Sequence, residues 1–362
     1  MVGPLVSSLA VFTFVLLIGN MFKLADLLVN KGVDIVDVVK LFILLIPYIL
    51  SYTIPMAILT ATMLCFGRLA SDNEVTAMRA SGISLYKIGL PVVIAAFIIS
   101  LASVYLNDSV LPASHFASTK LIKQVGVKNP TAYLEAGTFI KGFKGYIVRI
   151  NSINGDNLKG ILIYQLQDKG PTKTIIAKRG KFITYHEKNI IKLQLADGTA
   201  DEPDPEDPNV FYKLNFKTYD MTLNLAGKET SGKMRKKLKD MTISELREDI
   251  SKLKARYAES PHPHIRTEIR ERLVEIHRKL AMAFSSFVFV LVALPLAINT
   301  RRREKSVGFG ISLIVLTAYY LLLIGGQALA LRNVVPPIIG VWAVNVIYFI
   351  TGAVLVFVVI EK

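Results

Sequence analysis

Six long apolar runs alternate with polar segments along the 362-residue chain. About 20 apolar residues in helical conformation are enough to cross the hydrocarbon core of a bilayer. None of the six runs contains Asp, Glu, Lys or Arg, and their limits are residues 4–22, 41–66, 88–105, 280–298, 309–331 and 337–360. The pattern therefore predicts six transmembrane helices.

The periodicity changes between the third and fourth runs, where residues 136–225 are rich in β-branched and aromatic side chains. Segments such as "GYIVRI", "GILIYQL", "KTIIAKRG", "FITYHEKNIIKLQLADG" and "FYKLNFKTYDMTLNL" have the composition of strands. Turn residues at 154–157 and 196–198 are expected to separate strands. Five or more strands without intervening helices predict a sandwich, a jellyroll or an open barrel.

The last of these strands changes its apolar phase. Leu214 and Phe216 occupy even positions, whereas Tyr219, Met221 and Leu223 occupy odd ones. A slip of one residue moves the buried side chains to the opposite face of a sheet. A β-bulge near residues 217–218 is therefore predicted.

From residue 241 the pattern becomes helical. Thr242 and Glu245 have the spacing of a capping box, and "SPHPH" at 260–264 is expected to separate this helix from a second one that enters the fourth apolar run. The predicted fold is an α-helical integral membrane protein with an inserted all-β, jellyroll-like periplasmic domain. Its predicted parts are residues 1–106 (three transmembrane helices), 107–240 (β domain), 241–279 (helical return) and 280–362 (three transmembrane helices).

Basic residues in short loops orient the predicted helices, because such loops remain in the cytoplasm. The loops after the second and fourth runs carry Arg68, Arg79, Lys87, Arg301, Arg302, Arg303 and Lys305. Both loops lie on one side if all six runs cross, so both termini are expected in the cytoplasm and the insert outside it. The first run begins almost at once and does not resemble a signal peptide, so a short N-terminal piece is expected to be missing.

The loop "FGRLASDNEVTAMRASGIS" between the second and third runs predicts a short cytoplasmic helix over residues 72–81. Ser71 and Glu74 have the spacing of a capping box, and Gly82 suits the position just after the last helical turn. Asp72 and Glu74 at its start and Arg79 near its end would interact favourably with the helix dipole.

Val75 and Met78 share one face of this predicted helix, between charged flanks. The candidate contact residues are Asp72, Glu74, Val75, Met78 and Arg79. Such a helix can dock into a groove of a partner protein, or it can lie on the lipid headgroups. The residues alone favour neither alternative.

Composition and motifs exclude several classes of function. The chain is 52% hydrophobic, with a net charge of +15 and only one cysteine, Cys65. No motif for reading nucleic acid is found. No G-x-x-x-x-G-K-[ST], H-E-x-x-H, C-x-x-C or G-x-S-x-G motif occurs, so no catalytic residue is predicted.

No metal site is predicted either. His262 and His264 flank a proline without a third ligand at helical spacing. The acidic run "DEPDPEDP" at 201–208 lacks the glycine and the spaced carboxylates of a calcium loop. A solvated turn and an exposed connection between strands are the favoured interpretations.

The interiors of the apolar runs contain no Asp, Glu, His, Lys or Arg, so the charged residues near each run lie beyond its ends. Ion-coupled carriers place such residues at membrane depth, so that class is disfavoured. A basic collar at the expected outer ends could bind phosphate groups, and its candidate residues are Lys23, Lys31, Lys40, Arg278 and Lys279. The alternative is ordinary helix pairing, for example of Glu268 with Arg272.

Four segments together resemble one known family. They are "GRLASDNEVTAMRASGIS" after the second run, "LEAGTFIKG" before the strands, "IHRKLAMAFSSFVFVLVALPLAI" in the fourth run and "RRREKSVGFG" after it. In order and content these resemble the lipopolysaccharide export permeases of the LptF/LptG (YjgP/YjgQ) family over nearly the whole chain. The text "IPYILSYTIPMAIL" in the second run is closer to the LptF branch.

The resemblance implies that two such permeases pair in the bacterial inner membrane. Each would offer its cytoplasmic helix to one copy of a separate ATPase, LptB, which would bind ATP and Mg while this chain binds no cofactor. The paired spans would take up lipopolysaccharide, and the β-jellyroll domains, with LptC, would pass it to a periplasmic bridge. The alternative is an envelope scaffold that transports nothing and presents the β domain.

The resemblance also assigns roles to particular positions. Glu74 matches the acidic residue of the family's coupling helix, and Lys23 lies where members carry basic residues facing the lipid A phosphates. Asp26 departs from the pattern, because a basic residue is common there. The phosphate site is therefore arranged differently in this chain, or Asp26 pairs with Lys23.

Overall fold

The computed structural model of the protein describes residues 1–29, 33–128, 136–143, 145–154, 157–166, 172–185, 190–203, 211–223, 236–299 and 305–361. These residues belong to two compact units. The membrane unit comprises Met1–Asn20, Leu44–Phe116 and Lys236–Lys362, and the sheet unit comprises Met21–Ile43 and Ala117–Arg235.

Six helices in the described part of the chain are long and apolar enough to cross a membrane. They are α1 (Val2–Val29), α2 (Ile35–Ser71), α4 (Leu85–Tyr105), α7 (Pro263–Asn299), α8 (Lys305–Leu331) and α9 (Pro337–Glu361). A short helix, α3 (Glu74–Ala80), follows α2. The six predicted spans are confirmed in number and in order.

The third span is longer than its apolar run predicts. One π-helical turn (Leu106–Val110) joins α4 to a further helix, α5 (Leu111–Lys128), in a region that was predicted to belong to the β domain. Pro112 follows this wider turn, which leaves room for a ring that would otherwise clash with the carbonyl four residues earlier. Polar residues end the apolar run at residue 105, but they do not end the helix.

Helix α7 forms the centre of the membrane unit, and most of its apolar half is buried. The Tyr319 hydroxyl on α8 donates a hydrogen bond to Oδ1 of Asn345 on α9 at 2.8 Å. The Asn345 amide donates in turn to the Ala281 carbonyl of α7 at 3.0 Å. These polar groups satisfy one another in an apolar setting, which joins the three helices.

Helices α8 and α9 also meet through glycine. A Cβ atom added to Gly326 would lie 1.9 Å from the Gly340 carbonyl oxygen. The two backbones are therefore in contact at this point, which only residues without a side chain permit.

The predicted β structure of the insert is confirmed as a six-stranded antiparallel sheet, which follows α5 in the chain. Its strands pair in the order of the chain: β1 (Phe139–Phe143), β2 (Tyr146–Asn154), β3 (Asn157–Gln165), β4 (Lys173–Tyr185), β5 (Ile190–Pro203) and β6 (Phe211–Leu223). One apolar cluster, which includes Val148, Ile163 and Leu193, is the core of the sheet unit. The turn predicted at 154–157 is confirmed by the pairing of Asn154 with Asn157.

One row of residues crosses five strands without the regular pairing seen on either side of it. This row, here called the crease, consists of Asn151, Gly160, Lys178, Asp197 and Lys217. The register between neighbouring strands is the same before and after the crease. The buried positions nevertheless change parity across it: in β5, Leu193 and Leu195 are buried on one side and Ala200 on the other.

The bulge predicted near residues 217–218 is therefore wrong. The buried face of strand β6 does change at this row, but the buried face of β5 changes at the same row. The register between the two strands is therefore unchanged, and neither strand contains the extra residue that defines a bulge. The turn predicted at 196–198 is also wrong, because these residues lie inside β5, where Asp197 has a φ of 55°. Aspartate tolerates the left-handed region, so a turn-forming sequence here produces a face change within a strand.

The chain returns from the sheet unit through α6 (Ile243–Glu259), and the predicted capping box is confirmed. The Glu245 N–H donates to Thr242 Oγ1 at 3.3 Å, and the Thr242 N–H donates to Glu245 Oε2 at 2.9 Å. Helix α6 ends before the "SPHPH" segment, as predicted, but α7 begins at Pro263, inside this segment rather than after it. Leu246 and Ile250 of α6 pack with Ile276 of α7.

Candidate functional site

Helix α3 corresponds to the predicted cytoplasmic helix, but it begins at Glu74. Ser71 is still part of α2, and Asn73 occupies the N-cap position with a φ of 60°. Asp72 lies between the two helices, 3.5 Å from Arg68 in an exposed ion pair. The predicted N-cap at Ser71 and the helical position of Asp72 are therefore wrong. A left-handed asparagine allows α3 to follow α2 after only two residues.

The end of α3 is the one predicted. Gly82 has a φ of 83°, and its N–H donates to the Arg79 carbonyl at 2.9 Å. The Ile83 N–H donates to the Met78 carbonyl at 3.0 Å. These two bonds form a Schellman motif, which satisfies carbonyls at the end of the helix and stops it.

Val75 does not belong to the exposed surface of α3. Its side chain is 4% exposed and packs with Leu69 and Ala70 of α2 and with Ile298 near the end of α7. The prediction that Val75 offers a docking surface is therefore wrong. Apolar burial instead anchors α3 to two spans of its own chain.

Of the predicted contact residues on α3, Glu74 and Arg79 are exposed and Met78 is partly exposed. Glu74 lies in the first turn and Arg79 in the last. Each charge therefore lies at the end of the helix where the dipole favours it. The α3 surface, defined as Glu74, Met78 and Arg79, is an amphipathic patch on a fixed support.

Two of the predicted collar residues are occupied within the chain. The Arg278 guanidinium donates to both carboxylate oxygens of Glu275, at 2.9 and 2.6 Å. Lys279 is 3% exposed and its ammonium donates to the Met241 carbonyl. Lys279 is therefore not an open phosphate ligand. The bidentate contact with Glu275 neutralises most of the charge of Arg278.

The other collar residues lie in the sheet unit or outside the described part of the chain. Lys40 is on α2, with its side chain 59% exposed and 3.6 Å from Asp37. Lys31 lies outside the described residues, and so does the side chain of Lys23, whose pairing with Asp26 stays a prediction. The alternative pairing of Glu268 with Arg272 is present at 3.7 Å.

The described residues contain no group of three or more His, Cys, Asp or Glu side chains able to hold a metal ion. His264 lies 3.2 Å from Glu268, and His262 contacts Ser260 in the loop before α7. In the acidic run, Glu202 contacts Lys173 across the sheet and residues 204–208 lie outside the described part.

A family model described as lipopolysaccharide export system permease LptF/LptG matches residues 1–357. The chain belongs to the LptF/LptG family. The permease LptF of Escherichia coli K12 is 20% identical over 368 residues, which cover 96% of this chain and 91% of LptF. LptF of Shigella flexneri matches to the same extent. An uncharacterised protein of Rickettsia prowazekii is 23% identical over 167 residues, 46% of this chain and 46% of that protein.

Membership of the LptF/LptG family agrees with the six apolar helices and the inserted sheet. The chain is accordingly a multi-pass membrane permease of the lipopolysaccharide export type. Within this LptF/LptG permease, α3 joins the second and third spans, as the resemblance predicted.

The permease also contains a partly buried polar cluster that the sequence pattern did not predict, here called the polar joint: Asp108, His115, Asp240 and Lys279. Asp108 Oδ1 accepts a hydrogen bond from the Ile243 N–H at 2.6 Å. His115 Nδ1 lies 2.5 Å from Asp240 Oδ1, and Lys279 donates to the Met241 carbonyl. Asp240 is 2% exposed and Lys279 is 3% exposed, so both side chains are almost inaccessible to solvent.

The sequence gives little indication of this joint, because its members are separated by up to 171 positions (279 − 108). Asp108 follows the third apolar run by three positions, and Lys279 directly precedes the fourth. Charges at span ends usually face water or headgroups. Only the tertiary fold shows that these two meet the start of α6.

Proposed function

We propose that this chain is a permease subunit of an ATP-driven lipopolysaccharide exporter in the bacterial inner membrane. It pairs with a paralogous permease, takes lipopolysaccharide from the membrane and passes it through the periplasmic β domain, with an LptC-type protein, to a bridge. An LptB-type ATPase dimer supplies the energy. The observation that carries this proposal is the α3 surface, which is exposed, charged at both ends and anchored to two spans.

The α3 surface explains how a partner can act on the spans. Glu74 and Arg79 are exposed at the two ends of α3, while Val75 fixes the helix to α2 and α7. A partner bound to α3 therefore pushes on two spans at once. The uncharged span interiors agree with an energy source outside this chain.

Fewer residues are available to bind the substrate than the predicted collar contains. Lys279 is used inside the fold, and Arg278 is paired with Glu275. A phosphate group at Arg278 would have to compete with a bidentate carboxylate. Lys40 is exposed. Together with Lys23 and Lys31, it remains a candidate for binding the lipid A phosphates.

The first prediction concerns Glu74. In the complete complex reconstituted in vesicles, Glu74→Lys is expected to reduce lipopolysaccharide transport and ATP hydrolysis by at least about tenfold, because one reversed charge at a docking contact costs several kcal/mol. Asp72→Lys makes the same change of charge two residues earlier, outside the helix, and serves as the control. Transport and ATP hydrolysis are measured together with the amount of each variant in the membrane.

Transport at the wild-type level by Glu74→Lys would contradict the proposal that the partner ATPase acts through the α3 surface. Equal losses in both variants would show that the charge of the whole loop matters rather than the α3 surface. Consistent absence of an ATPase from the complex purified in mild detergent would favour a scaffold that transports nothing.

A further inference from the structure

We propose that the polar joint transmits movement of α7 to both ends of the inserted segment, and that Asp108 and Lys279 are positioning residues for delivery of lipopolysaccharide. The inserted segment is the part of the chain between Phe116 and Lys236, where the chain leaves and re-enters the membrane unit. This inference rests on the proposed function.

The joint lies where the chain passes out of the membrane unit and back into it. His115 is next to the exit point, and Asp240 follows the return point by four residues. The Lys236 ammonium lies 5.7 Å from the centre of the Phe116 ring, a distance suited to a cation–π contact. The outgoing and returning chains are thus fastened to each other inside the membrane unit.

The start of α6 is held from two spans. Asp108, in the π-helical turn after α4, accepts from the Ile243 N–H, which has no partner within its own helix. Lys279, on α7, binds the Met241 carbonyl two residues earlier. The returning chain therefore cannot shift without moving α4 or α7, or breaking these hydrogen bonds.

Because Asp240 and Lys279 are buried, water cannot easily replace the contacts that their side chains make. The charged groups that act on the Lys279 ammonium are the carboxylates of Glu275, Asp108 and Glu245 and the guanidinium of Arg278. A buried group that loses its partner bears its full desolvation cost, whereas an exposed pair loses little. The joint is consequently a fixed connection and not a surface contact that opens freely.

Helix α7 links the joint to the α3 surface. Ile298 touches Val75 of α3, and Lys279 lies 19 positions earlier on the same helix (298 − 279). At the helical rise per residue, the two points are about 28 Å apart. A displacement of α3 by the partner ATPase therefore reaches the joint through one continuous helix.

The test uses Asp108→Ala and Lys279→Met in the complete exporter complex, reconstituted in vesicles containing lipopolysaccharide. ATP hydrolysis is expected to stay within about twofold of wild type, while delivery to a soluble periplasmic acceptor falls roughly tenfold, the effect of one unsatisfied buried group. Asp108→Asn keeps a carbonyl acceptor and is expected to restore most of the delivery. Lys252→Met is the control, because Lys252 forms only an exposed pair with Glu248.

The ratio of delivery to ATP hydrolysis separates positioning from structural support. An unchanged ratio in Asp108→Ala and Lys279→Met would overturn the inference, whether both activities persist or both fall together. A wild-type complex without ATP-dependent delivery would overturn the proposed function as well. Full ATP-dependent delivery by all variants would overturn the inference alone.

A cross-link provides a second test, in which a covalent connection replaces the contact between His115 and Asp240. His115→Cys and Asp240→Cys are combined with Cys65→Ser, which removes the native cysteine of the chain. A short, cleavable bifunctional thiol reagent then closes the joint covalently. Delivery is expected to survive closure, because the joint stays closed while it moves. Loss of delivery that is reversed by cleaving the reagent would overturn the inference.

Discussion

The burial of Val75 shows that one face of α3 packs against its own chain and does not bind a partner. Its position opposite charged flanks predicts a contact with a partner, yet it is buried against Leu69, Ala70 and Ile298 of its own chain. Binding and force transmission are thereby divided between neighbours: Glu74 is available to a partner, and Val75 holds the helix in place.

Shortening Val75 is expected to separate these two tasks. Val75→Ala removes buried methyl groups, which costs about 1–3 kcal/mol of anchoring energy. The partner ATPase should still copurify at the wild-type level, while lipopolysaccharide transported per ATP hydrolysed falls severalfold. Thr76→Ser removes a methyl group from an exposed position of the same helix and should leave the ratio unchanged. An unaltered ratio in Val75→Ala would contradict the anchoring role.

Glu245 makes the stability of α6 depend on pH. Hydrogen bonds from Lys236 and from the Thr242 N–H hold the pKa of this carboxyl below its ordinary value. A lowered pKa stabilises the fold above the unfolded-state value of about 4.3, and the contribution is lost as the pH falls through the folded-state pKa.

Thermal unfolding of wild type and Glu245→Gln in detergent checks this dependence. The wild type should have the higher Tm at pH 7, and the difference should shrink below about pH 4, where the carboxyl binds a proton. Glu248→Gln, in an exposed pair with Lys252, should give a smaller difference. A difference in Tm that does not vary with pH would contradict the role of this carboxylate.

At the scale of the elements, the contact between α8 and α9 depends on the absence of a side chain at Gly326. Gly326→Ala would place a methyl group on the Gly340 carbonyl and is expected to lower the Tm in detergent by about 5 °C, the size of an overpacking effect. Gly325→Ala is the matched control, because a Cβ added there meets nothing within 4 Å. Equal shifts for the two variants would show that the helices can separate at no cost.

Other elements show where sequence patterns are sufficient and where they are not. Apolar length predicts all six spans, and local hydrogen bonding predicts the Thr242 cap and the stop at Gly82. The continuation of α4 through a π-helical turn is missed, because the polar residues Asn107 and Asp108 mark the edge of an apolar run and not the end of a helix.

At the scale of the whole molecule, the architecture and the family could be predicted from the sequence, whereas the internal connections could not. Hydrophobic periodicity and four family-like segments are local signals. The polar joint consists of residues from three distant parts of the chain. Lys279 was predicted as a surface ligand for this reason: its burial is decided by the start of α6, which no local pattern places next to it.

The crease places an unusual condition on how this protein can change over evolution. Five strands reverse their buried faces at one shared row, with the same register before and after it. Deleting one residue from the row, such as Asp197, would put the remainder of that strand on the wrong face while its neighbours stay correct. Single insertions or deletions in these strands are therefore expected to destabilise the sheet, whereas changes of length in the connections leave the faces of the strands unchanged.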